Sequence, residues 1–98
     1  MNSNFMVMKI STWRKGVAEE PSAVVLTKVL TAYSRLVKEG REYATHILVM
    51  PVGGSDPYYW SGNYDLTYDE ALRDFNMRYR DSMYSPVWTP TAPEITKL

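Results

Sequence analysis

His46 is the only histidine of this 98-residue chain, and the chain has no cysteine. Without thiols, disulfides, thiolate catalysis and thiolate metal sites are excluded. A catalytic histidine needs an acid to orient it and a nucleophile within reach. Ser55, Asp56 and Ser61 are near in sequence, but no spacing marks them as a triad. A metal on His46 would require several converging carboxylates. His46 alternates with Ala44, Leu48 and Met50, so it reads as a half-buried strand histidine sharing their face. An enzyme built on His46 is the second rival reading, and neither a metal nor a cofactor is expected.

Two further patterns suggest chemistry less strongly. "PVGGSDP" lacks both the Lys-Ser/Thr of a phosphate loop and the three spaced glycines of a dinucleotide fingerprint, so it reads as a turn. Asp65, Asp69, Glu70, Asp74 and Asp81 are numerous enough for an acid-base pair. Such a pair needs a cleft that drives two pKa values apart, and a convex helix surface is expected here. Acids in a first helical turn are explained by the helix dipole.

The aromatic residues point to binding. Of thirteen in the chain, nine lie between residues 58 and 88, in an acidic setting. Tyr58 and Trp60 fall on one face of a strand and Tyr59 on the other. Rings that stack on single-stranded nucleic acid normally accompany a basic groove. Tyrosines and tryptophans within a polar rim are instead favoured at protein interfaces. The expected partner-binding residues are Tyr58, Tyr59, Trp60, Tyr64, Asp69, Asp74, Met77 and Asp81. Met77 stands out because it falls at the centre of the polar face of its helix, opposite Phe75.

The elements that position these residues follow from periodicity and punctuation. Residues 5–12, "FMVMKIST", predict a strand. Residues 22–39 follow a 3.6-residue pattern and predict the first helix. Val25, Leu26, Val29, Leu30, Ala32, Tyr33, Leu36 and Val37 form its apolar side, and Gly40 stops it. Residues 43–52 predict a second strand, and "GGSDP" turns the chain into a third, "YYWS". Thr67 and Glu70 form a capping box for a helix to about residue 82. Its buried face is read as Tyr68, Ala71, Leu72, Phe75 and Tyr79. Asp74 and Arg78 form an i,i+4 pair.

The predicted fold is therefore α+β: a β-α-β-β-α two-layer sandwich over residues 1–84, with an extended proline-rich tail over 85–98. Both helices cover one face of a small, mixed three-stranded sheet, with strands one and two parallel through a right-handed crossover. Because "FMVM" and "ILVM" are apolar on both sides, the bare face needs a cover. The candidates are the tail with Trp88, a second copy in a homodimer, or a partner.

Composition fits this reading, at 45% apolar and 22% charged residues. Net charge is zero, with seven basic against four acidic residues over 1–49 and four against seven over 50–98. Those halves of about +3 and −3 carry too little basic charge for a dedicated nucleic-acid binder. No apolar run spans a bilayer and the first residues lack the pattern of a signal peptide, so no membrane role and a cytoplasmic location are expected. A "GNYDLT" turn followed by "YDEALRDF" resembles pieces of many small bacterial, plasmid and phage proteins, and names no family.

The expected function is a small non-catalytic protein-binding module. By class analogy it would be a phage or mobile-element accessory protein that inhibits a host defence or nucleic-acid-handling protein, an anti-CRISPR among the possibilities. It would then act in the host cytoplasm. The first rival is a nucleic-acid-binding regulator using the basic face of the first helix (Lys28, Arg35, Lys38) with Lys9, Arg14, Lys15 and Arg41.

Overall fold

In the structure, a computed structural model, residues 5–15, 20–30, 34–51 and 53–82 are described. The strands are β1 (Phe5–Ile10), β2 (Arg14–Lys15), β3 (Pro21–Val29), β4 (Tyr43–Val49) and β5 (Tyr58–Leu66). The helices are α1 (Ser34–Lys38) and α2 (Tyr68–Ser82). The fold is α+β, as expected, but its sheet has five strands in the order β1-β3-β4-β5, with β2 also on β3.

The largest departure from the sequence reading is β3, which takes the first eight residues of the expected first helix. "PSAVVLTKV" satisfies a helical period, but it is also a continuous apolar run rich in β-branched residues. Short runs of that kind fit a buried strand equally well, and stiff β-branched side chains favour it. β3 lies between β1 and β4 and is covered on both faces, so Ala23 to Thr27 are all buried. Pro21 opens the strand, where its missing N–H costs nothing, and its carbonyl accepts from Met50 N–H at 2.8 Å.

With β3 in the sheet, the described residues contain no crossover helix between β1 and β4. β1 and β4 are not neighbours, and each pairs antiparallel with β3, so the expected parallel pair is corrected. Among the described residues of the expected helix, only the five of α1 are helical, and none of them is buried. Leu30 and Val37, expected in its apolar face, are exposed. Ala32 and Tyr33 lie outside the described residues. The stop signal does hold: Gly40 is left-handed at φ 69°. Arg41 N–H bonds Leu36 C=O at 2.7 Å and Gly40 N–H bonds Val37 C=O at 3.0 Å, the Schellman pattern.

α2 packs across one face of the sheet. Ala71 and Phe75 bury against Val24 and Leu26, with Tyr43, Ile47, Leu66, Leu72 and Tyr79 around them. Burying Phe75 alone contributes about 1.5–3 kcal/mol. Tyr68, expected in this buried face, is exposed and stands edge-on to Tyr43.

The opposite face has a cover of its own among the described residues. Trp13 packs with Ala23, Val25, Leu48, Met50 and Tyr59. It gets there through an irregularity after β1: Ser11 Oγ accepts Val24 N–H at 2.8 Å, a role a carbonyl fills in a regular ladder. The proline-rich tail and Trp88, named as a possible cover, lie outside the described residues. Among those described, no helix is long and apolar enough to cross a membrane.

Candidate functional site

β5 positions most of the expected binding residues. Its register sets Tyr58 opposite Val49 and Trp60 opposite Ile47, on the α2 side. Tyr59 pairs with Leu48 and faces the other way, as the alternation required. α2 does not cover the end of β5 that carries Tyr58 and Trp60. Trp60 is therefore 57% exposed and Tyr58 46%, on the same side of the sheet as α2.

Beyond Trp60 the strand slips twice against β4. Ser61 and Asp65 take left-handed backbone, at φ 55° and 57°, as extra residues in β-bulges do. The slips return Asn63 and Leu66 to the α2 side and send Tyr64 to the opposite one. The Tyr64 ring folds back over Gly62, where an added Cβ would lie 2.7 Å from it. A larger residue at 62 would force the Tyr64 ring to shift. "SGNYD" carries the Gly, Asn and Asp that signal bulges, yet the sequence reading ended the strand at Ser61.

Tyr64 and His46 meet on that far face. The His46 Nε2 and the Tyr64 hydroxyl are hydrogen-bonded at 3.0 Å. Phe5, Tyr59 and Tyr64 surround the imidazole with ring centroids 5.0–5.3 Å away. His46 is 1% exposed, deeper than the half-buried position expected. Its Nδ1 has no partner among the described residues. The tautomer that costs least carries its proton on Nε2 and donates to Tyr64, because an orphan N–H costs more than an orphan lone pair. Burial, and secondarily the Arg78 charge, push the His46 pKa below its ordinary 6.5.

Among the described residues no carboxylate bonds this ring, whose one hydrogen-bond partner is the Tyr64 hydroxyl, and Ser55, Asp56 and Ser61 are exposed. A substrate would have to displace the aromatic box to reach it. Among the described residues no group of three or more His, Asp or Glu side chains could hold a metal.

The expected acidic residues divide into two kinds. Asp74 is a structural hub: it accepts from the Thr45 hydroxyl, from Asn63 Nδ2 at 3.0 Å and from Arg78 Nε at 3.1 Å. Burial would raise its pKa, but these donors outweigh that and hold it below its ordinary 3.8. Glu70 accepts from Thr67 N–H at 3.0 Å, completing the expected capping box, and from Arg41 Nη1 at 2.7 Å. The Thr67 backbone hydrogen bond is the chief reason its pKa lies below 4.5. Asp69 and Asp81 are exposed.

The outward face of α2 borders a shallow, open depression of about 590 Å³. Glu70, Arg73, Asp74, Asn76, Met77 and Arg80 line it. Both its carboxylates are held ionised, so neither is poised as a general acid near neutral pH. Met77 is 48% exposed there. Neither Arg73 nor Arg80 has an ion pair among the described residues. With Glu70 and Asp74 paired, the outward charge is mixed and not the acidic surface expected.

The basic face of the rival reading is dispersed. Lys28 is a strand residue beside Glu42, at 4.0 Å. Arg41 is bonded to Glu70, and Lys9 lies over the Phe75 ring, 5.3 Å from its centroid. Arg35 and Lys38 remain exposed on α1. No protein-family model, curated protein or solved structure matches the chain.

Proposed function

We propose that the protein is a non-catalytic protein-binding module whose anchors are Trp60 and Tyr58 on β5 and Met77 on α2. The observation that carries this reading is Trp60, 57% exposed on a sheet margin that α2 leaves open, with Tyr58 exposed two residues away. Exposing such large apolar surface on folding gains nothing for stability, whereas a partner that covers it gains the burial. Met77 between Arg73 and Arg80 adds an apolar side chain within a charged rim, and aromatic residues, Met and Arg are enriched at interfaces. Asp69 and Asp81 belong to the rim. Asp74 supports the fold beneath this surface, and Tyr59 and Tyr64 face the opposite side of the sheet, so none of the three is in the proposed contact set.

By class analogy the partner is a protein of a bacterial host, blocked by a phage or mobile-element accessory protein. The mixed charge favours a partner pocket that takes an aromatic ring over a strongly basic nucleic-acid groove. The test is affinity capture from bacterial lysate with the wild-type chain and with folded Trp60→Ala and Met77→Glu variants. A host protein retained by the wild type and lost from both variants supports the reading. Equal retention by all three contradicts it. Binding to DNA or RNA alone, with a steep salt dependence, would favour the nucleic-acid rival.

A further inference from the structure

We propose that the outer edge of β1 is a self-association surface, to which a second copy of this chain adds its own β1, antiparallel about a two-fold axis. The two edges of the sheet differ. β5 carries the left-handed Ser61 and Asp65 and two slips of register, and bulges turn an edge away from pairing. β1 has one irregularity, at Met8, and no ladder partner on its outer edge among the described residues. Its Met6, Val7, Met8 and Ile10 are each 43–46% exposed. An exposed apolar edge strand is a template for another strand.

Charge selects a second copy as the occupant. Residues 5–10 contain one charge, Lys9, and the whole chain nets zero, so two copies approach without repulsion. With Met8 as the extra residue, a two-fold through Val7 sets Lys9 opposite Met6 of the second copy and Ile10 opposite Phe5. No like charges face each other, which a self-complementary pairing requires. The Lys9 ammonium is also drawn over the Phe75 ring, toward α2. The joined sheet repeats β5-β4-β3-β1 on either side of the axis. It leaves Trp60 at the far margin of each copy, so this inference stands apart from the proposed partner surface.

The experiment is sedimentation equilibrium of the full chain from low to high micromolar concentration, with hydrogen exchange at the two extremes. The expected result is a dimer mass at the upper end, with exchange of residues 6–10 slowing as concentration rises. Val7→Lys sets two lysines face to face at the axis and should weaken dimerisation roughly tenfold or more. A monomer at every concentration, or a dimer unchanged by Val7→Lys, overturns the proposal. So does concentration-dependent protection on β5 in place of β1. The exchange measurement uses the unaltered chain and decides the matter even if Val7→Lys fails to fold.

Discussion

Protonating His46 would place an N–H on Nδ1, an atom with no partner among the described residues, inside the box of Phe5, Tyr59 and Tyr64. The folded pKa is lowered from 6.5, so below that value the unfolded chain binds more protons than the folded one. Stability is therefore full above 6.5 and declines as pH falls from there through the lower folded value. The urea midpoint should drop as pH falls below about 6.5. His46→Leu should flatten that drop, leaving Tyr64, which is 54% exposed, to bond water. A wild-type midpoint constant across the window would show that the ring tolerates its charge. Met77 poses the complementary case. Met77→Glu should leave the unfolding midpoint nearly unchanged, because a solvent-facing helix position accepts glutamate. The same change should weaken partner binding by about 1 kcal/mol or more, through a charge buried without a counterpart. Undiminished binding would remove Met77 from the interface.

At the scale of elements, α2 depends on its first turn and on one carboxylate. Thr67→Ala removes the hydroxyl that accepts Glu70 N–H at 3.2 Å and should cost about 1 kcal/mol in chemical denaturation. Asp74→Ala should cost about 1–3 kcal/mol, because it strands the Thr45 hydroxyl, which is fully buried. A loss within error for Asp74→Ala would mean that water replaces the carboxylate. α2 was legible in the sequence because Thr67, Glu70 and the spacing of Ala71, Leu72 and Phe75 all agree. β4, with its two apolar faces, and the turn at Gly53 and Gly54 were legible for the same reason. β3 was not, because Val24 to Val29 satisfy a helical period and a doubly buried strand alike. What decides between them is cover on both faces, by α2 and by Trp13, and that arises only in tertiary structure.

Over the whole molecule, one side of the sheet is packed by α2 while the margin bearing Tyr58 and Trp60 stays open. The alternation of β5 was readable, so the opposite directions of Tyr58 and Tyr59 were expected. The fate of Tyr64 and Asp74 was not, because the bulges that turn Tyr64 onto His46 and the approach of Thr45 to Asp74 depend on strand pairing between β4 and β5. The surface we propose is thus smaller and less acidic than the sequence alone implied, and is centred on Trp60. The most direct measurement is the affinity of the captured partner for wild-type and Trp60→Ala protein by titration calorimetry, with folding checked by circular dichroism. A hot-spot tryptophan gives a loss of about 2 kcal/mol or more, roughly thirtyfold in Kd, at unchanged fold. Equal affinity of the two proteins would contradict protein binding through this surface.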